Sequence, residues 1–109
     1  MKSAKTIRSS IVITVAMLGG LAGGAAAQIT GDIVATTRGN LVIRPIDHAT
    51  FVMAWSGQTI YVDPVGGGDR FARLPAPDLI LVTDIHGDHL NAETLSAIVT
   101  PETVIVAPA

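Results

Sequence analysis

The chain has 109 residues, no cysteine and a formal net charge of −2, which allows one small domain and excludes a disulfide scaffold. Seven Lys and Arg stand against nine Asp and Glu; three of the seven (Lys2, Lys5, Arg8) lie at the start, so four minus nine leaves −5 beyond residue 27. That balance, with Arg38, Arg44, Arg70 and Arg73 scattered, excludes a nucleic-acid surface, which needs clustered cations.

The first predicted element is a targeting segment. After the basic start, Ile11 to Leu21 is apolar apart from Thr14, Gly19 and Gly20, and Gly23 to Ala27 is all small residues. This order predicts a signal peptide over residues 1–27, cut before Gln28, and an exported product, periplasmic or secreted. The apolar run is shorter than the roughly 18 residues a spanning helix needs, so no membrane attachment is expected after cleavage. Residues 28–109 then form the domain, 109 − 27 = 82 residues long. An exported domain this small usually relies on disulfides. Without them a metal, a second chain or further sequence has to complete the fold.

Asn40 to Ile46 reads as a strand, with Leu41, Ile43 and Pro45 on one side and Val42, Arg44 and Ile46 on the other. Thr50 to Trp55 is a second strand and Ile60 to Val62 a third, joined through the hairpin signal Ser56-Gly57. Phe51 and Trp55 are expected in the core. Asp63-Pro64 stops the third strand, and a mobile loop is predicted from Gly66-Gly67-Gly68 to Pro77. Leu79 to Val82 is a continuous apolar run, the pattern of a strand covered on both faces. Thr83 to His89 is a polar loop. Asn91 then caps a helix whose stripe is Leu95, Ile98 and Val99, ended by Pro101. Thr103 to Ala107 reads as a last buried strand. The class is α+β or α/β: an antiparallel meander feeding a β-α-β unit. One helix cannot cover both faces of so apolar a sheet, so the reading favours a truncated piece of a longer domain.

The chemistry concentrates in Thr83-Asp84-Ile85-His86-Gly87-Asp88-His89. Four metal-capable side chains fall within six positions, among them two of the three histidines of the chain. In an extended loop Asp84, His86 and Asp88 would point to one side, while His89 needs a turn to converge and Gly87 supplies backbone freedom. Mixed imidazole and carboxylate donors suit zinc, manganese or iron better than calcium or magnesium. The plainer alternative is a polar turn between strand and helix, in which Asp and Gly are common.

This segment resembles the His-x-His-x-Asp-His metal signature of the metallo-β-lactamase superfamily. Asp47 to Phe51, the Gly57 turn and Ile60 to Pro64 resemble the branch that includes ascorbate-phosphate lactonase. The resemblance spans about Asn40 to Ala109 and implies the first half of an αββα sandwich. It also implies Zn2+, one or two per complete domain, with Mn2+ or Fe2+ as alternatives. His86 corresponds to a ligand of the first metal, and Asp88 and His89 to ligands of the second. Asp84 stands where the family has its leading histidine, and is read as a ligand. Asp63 resembles the acid that braces the motif loop, and His48 is expected either near the site or in a structural role beside its strand. Asp88 is the catalytic candidate, ligating a metal and orienting the water it activates.

The expected function is hydrolysis of a lactone, ester, amide or phosphoester bond in a small-molecule substrate. The remaining ligands would come from a missing C-terminal half or a second chain, so the chain is expected to be inactive alone. The alternative is a non-catalytic binding module, either metal-binding or dependent on another subunit. A nuclease of the same superfamily is disfavoured by the acidic balance and the export signal.

Overall fold

The computed structural model describes residues 27–109, so the predicted signal peptide lies, but for Ala27, outside the described residues. Among these no helix is long and apolar enough to cross a membrane. Six strands form one mixed sheet in sequential order: β1 Asp32–Thr36, β2 Gly39–Asp47, β3 Thr50–Trp55, β4 Gln58–Val62, β5 Leu79–Leu81 and β6 Val104–Val106. β1 to β4 are an antiparallel meander, and β4, β5 and β6 run parallel. The helix α1, Ala92–Ile98, makes the connection from β5 to β6. The anticipated meander and β-α-β unit are both present.

Local chemistry explains the turns. Ser56 and Gly57 both have positive φ (52° and 79°), the backbone a two-residue hairpin needs to match strand twist. Asn91 Oδ1 accepts from the Thr94 backbone N–H at 2.8 Å and caps α1 as predicted. The helix stops sooner than Pro101 implied: Val99 is already extended (ψ 148°) and exposed, so it leaves the apolar stripe to Leu95 and Ile98. β1 was not anticipated. Its five residues are all exposed and it is held through its ladder with β2, so no burial pattern marks it.

One sheet face carries the core. Val52, Tyr61 and Ile80 lie in register across β3, β4 and β5, all almost fully buried, with Leu95 and Ile98 of α1 packed against them. The segment expected to be a mobile loop is pinned instead. It contains a 3-10 turn, Gly68–Phe71, whose Phe71 is buried and stacks on Tyr61 with ring centroids 5.1 Å apart. The Gly67 N–H donates to Thr94 Oγ1 at 2.9 Å, and Arg70 pairs with Asp47 at 2.6 Å. Gly68 is required here, because a Cβ would come within 2.7 Å of the Ala97 methyl.

The opposite face is apolar but poorly covered. Ile43, Met53, Ile60, Leu79 and Val104 form one row across five strands, and Pro45, Phe51, Val62, Leu81 and Val106 the next. Of these ten only Val62 is buried. Leu79 and Leu81 are therefore half-buried, whereas Ile80 is enclosed, and among the described residues β5 is not covered on both faces as expected. Phe51 and Trp55, expected in the core, are likewise half-buried. Trp55 instead donates its indole N–H to Thr36 Oγ1 at 3.2 Å.

Candidate metal centre

The site lies beyond the carboxyl ends of β4 and β5, where ligands of open α/β sheets gather. Val62 ends β4, and the next residue, Asp63, takes a left-handed backbone (φ 45°) that Asp tolerates better than most residues. Its own N–H donates to Leu81 O at 2.9 Å and its carbonyl accepts from Thr50 Oγ1 at 2.6 Å, so the backbone is fixed on both sides. The side chain, only 2% exposed, reaches across to the start of the motif loop.

There the carboxylate accepts three hydrogen bonds. Oδ1 takes the Thr83 backbone N–H at 2.7 Å; Oδ2 takes Thr83 Oγ1 at 2.5 Å and His89 Nδ1 at 2.7 Å. Burial works to raise the Asp63 carboxyl, but the hydrogen bonds from Thr83 and His89 outweigh it and hold the group below the usual carboxylate range. His89 is pushed the other way, its hydrogen bond to Asp63 and the nearby Asp88 charge raising it above the ordinary imidazole value. A carboxylate oxygen only accepts, so Nδ1 of His89 carries the hydrogen of that bond and Nε2 is the ring nitrogen left beside Asp88. This is the arrangement in which metal-ligating histidines are held.

The motif loop is not extended. The carbonyl of His86 accepts from the N–H groups of both His89 and Leu90 at 2.9 Å, closing a turn over residues 86–90. That turn replaces the one-sided alternation expected of Asp84, His86 and Asp88, and it sets His89 beside Asp88. The His89 Nε2 to Asp88 Oδ2 separation is 3.6 Å. His48, in a left-handed conformation (φ 49°) at the β2–β3 turn, brings its Nε2 to 3.6 Å from the same oxygen. Such distances are too long for hydrogen bonds. Two donors on one tetrahedral ion with bonds of about 2.0–2.2 Å sit roughly 3.4 Å apart, so the His89–Asp88 pair fits a metal edge.

Asp84 and His86 keep to each other. Asp84 Oδ1 accepts the His86 backbone N–H at 3.0 Å and also contacts His86 Nδ1. These bonds hold the Asp84 carboxyl below its ordinary value, the backbone contribution being the largest. Among the described residues, no group of three or more His, Asp or Glu side chains converges closely enough to enclose an ion. The donor types fit a divalent transition metal; their number provides one flank of a site rather than a closed one.

Two residues of the assembly escaped the sequence reading. Thr83 gives both its N–H and its hydroxyl to Asp63, and the Thr50 hydroxyl fixes the Asp63 carbonyl. A Thr at each strand terminus beside the acidic residues was the available signal. The Asp47–Arg70 pair, which ties the 3-10 turn to the residue before His48, was also unforeseen.

The family model described as beta-lactamase superfamily domain matches residues 42–107. The chain is similar to the crystal structure of a "Putative metal-dependent hydrolase" from Parabacteroides distasonis ATCC 8503, with 31% identity and a TM-score of 0.61. The alignment covers 72% of this chain and 36% of that one, so the chain spans little more than a third of its neighbour. No curated protein matches.

Proposed function

Because the chain belongs to the beta-lactamase superfamily domain family, we propose that the full-length protein is a metal-dependent hydrolase and that Thr83–His89 supplies one flank of its metal centre. The observation that carries this reading is the buried Asp63 carboxylate, which holds His89 by Nδ1 and presents Nε2 beside Asp88 Oδ2. His89, Asp88 and His86 are the proposed donors, with zinc the first choice and manganese or iron the alternatives. A divalent ion held there would acidify a water to a pKa of about 7 and polarise a carbonyl or phosphoryl oxygen. Asp88 is assigned to orient the attacking water. Asp63 and Thr83 keep the loop in place while charge develops.

The substrate is proposed to be a small molecule with a lactone, ester, amide or phosphoester bond. Within the superfamily the branch containing ascorbate-phosphate lactonase is preferred, on the segments Asp47 to Phe51 and Ile60 to Pro64. An exported, periplasmic or secreted location is proposed from residues 1–27. The test is turnover of a panel of these four bond types by the full-length protein. Activity should vanish on chelation, return with zinc or manganese, and be lost in Asp88→Ala. Turnover indifferent to chelation would sink the reading. A non-catalytic binding module is the second reading, favoured by the absence of three converging donors among the described residues. Zinc binding without turnover of any of the four bond types would select it.

A further inference from the structure

The tight turn between β2 and β3 is His48-Ala49, although Gly, Asn, Asp, Ser and Pro are the residues that favour such turns. His48 takes a left-handed backbone there (φ 49°), a conformation that glycine or asparagine adopts at less cost. The turn is nonetheless held at three points. The β2–β3 register shifts between Pro45 and Asp47, a bulge of the kind that re-aims a side chain. Asp47 pairs with Arg70 at 2.6 Å on one side of His48. On the other side the buried Thr50 hydroxyl donates to the Asp63 carbonyl at 2.6 Å, which ties the turn to the residue that braces the motif loop. The side chain so placed packs little. It is 70% exposed, and among the described residues its ring makes no hydrogen bond and one charged contact, Nε2 lying 3.6 Å from Asp88 Oδ2. His89 Nε2 stands 3.6 Å from that same oxygen. The Asp88 carboxylate therefore has two imidazoles beside it, one fixed by Asp63 and one with no partner of its own.

We infer that His48 is a substrate-contacting residue, whose imidazole N–H donates a hydrogen bond to the oxygen of the carbonyl or phosphoryl group under attack. The inference rests on the metal-centre reading and deepens it. A water oriented by Asp88 attacks an atom about 3–3.5 Å away, so a bound substrate brings its scissile group alongside that carboxylate. The His48 ring, 3.6 Å from Asp88, is then within reach of the same group. Attack drives negative charge onto the carbonyl or phosphoryl oxygen, and a donor fixed beforehand stabilises that charge without reorganising. The three anchors of the turn supply the fixing. A turn of unfavourable sequence, pinned so that it presents an exposed ring, conflicts with local turn chemistry, and such conflicts gather at functional sites. Metal ligation would be the other use of the ring. Among the described residues, however, His48, Asp88 and His89 do not converge closely enough to enclose one ion.

The experiment compares the full-length wild type with His48→Asn and His48→Gly. Both replacements suit the left-handed backbone; asparagine is too short to reach the substrate oxygen and glycine has no side-chain donor. Three quantities are read: kcat and KM on the substrate of the four-bond panel that the wild type turns over fastest, zinc affinity by chelator competition, and the denaturation midpoint. In both variants kcat should fall about 100-fold with KM little changed, the pattern for loss of one transition-state donor. Zinc affinity and midpoint should stay at their wild-type values. Wild-type kcat in either variant would overturn the inference. So would zinc binding weakened in step with kcat, which would make His48 a ligand, or a lowered midpoint in both variants, which would make it structural. Each of these results leaves the metal-centre reading standing. Wild-type turnover that is absent, or indifferent to chelation, would instead remove that reading and this inference with it.

Discussion

Replacing Asp63 by asparagine changes one oxygen to an NH2 and separates two roles that the wild-type carboxylate combines. The left-handed backbone (φ 45°) suits Asn as well as Asp, so no new strain arises. The amide oxygen takes the place of Oδ1 and keeps the Thr83 N–H bond of 2.7 Å. The NH2 then stands where Oδ2 accepted from Thr83 Oγ1 and His89 Nδ1. The Thr83 hydroxyl can rotate and accept. His89 can accept at Nδ1 only by moving its hydrogen to Nε2, the atom the proposed metal centre uses. Two charge-assisted bonds become neutral ones, a loss of about 1–3 kcal/mol in folding stability. Zinc affinity should fall by about 10–100-fold, since the donor lone pair is lost. Asp63→Ala should cost more stability than Asp63→Asn, because it removes the partner of the Thr83 N–H, the Thr83 hydroxyl and the His89 ring together. Denaturant unfolding of metal-free protein and chelator competition measure the two terms separately. An Asp63→Asn protein that is destabilised yet binds zinc like the wild type would refute the reasoning.

The same pair sets a pH dependence in the metal-free protein. The lowered Asp63 carboxyl contributes stability above its ordinary 3.8 that is lost as pH falls through its lower folded value. The raised His89 contributes below its ordinary 6.5 and loses that contribution as pH rises through its higher folded value. The difference in denaturation midpoint between wild type and Asp63→Asn should therefore be widest between these limits and shrink on both sides; a difference still growing at alkaline pH would contradict the assignment. Residues 28–109 alone should bind a hydrophobic dye and unfold without a cooperative transition, because two apolar rows of the sheet are only partly covered; a sharp thermal transition would count against this. N-terminal sequencing of exported protein should begin at Gln28, and a mature chain that retains Met1 would remove the signal-peptide reading.

The sequence was most legible where local chemistry decides the structure. Thr50 to Trp55 is bounded by the Ser56-Gly57 turn and was placed to the residue, and Asn91 caps α1 as its side chain requires. β1 was illegible because its residues are exposed on both faces, and it is held by the ladder to β2 and one hydrogen bond from Trp55 rather than by burial. The uncovered face misled in the opposite sense. Phe51, Leu79 and Leu81 look like core residues, and their register does form continuous apolar rows, but nothing among the described residues encloses them. At the site, the donor types of Asp84, His86, Asp88 and His89 could be read directly, whereas their geometry could not. The turn that accepts two N–H groups at the His86 carbonyl is a backbone feature without a side-chain signature. The approach of His48 to Asp88 joins residues 40 positions apart and depends on how β2 and β5 sit in the sheet.

The central claim is that the Thr83–His89 loop binds a divalent ion through His89 Nε2 and the Asp88 carboxylate. Anomalous diffraction at the zinc edge, from crystals of the full-length protein prepared with zinc, tests it most directly. The account predicts a peak at bonding distance, about 2.0–2.2 Å, from both atoms, with Asp63 still on His89 Nδ1. A zinc-loaded crystal with its ions elsewhere and no peak at that loop would contradict it.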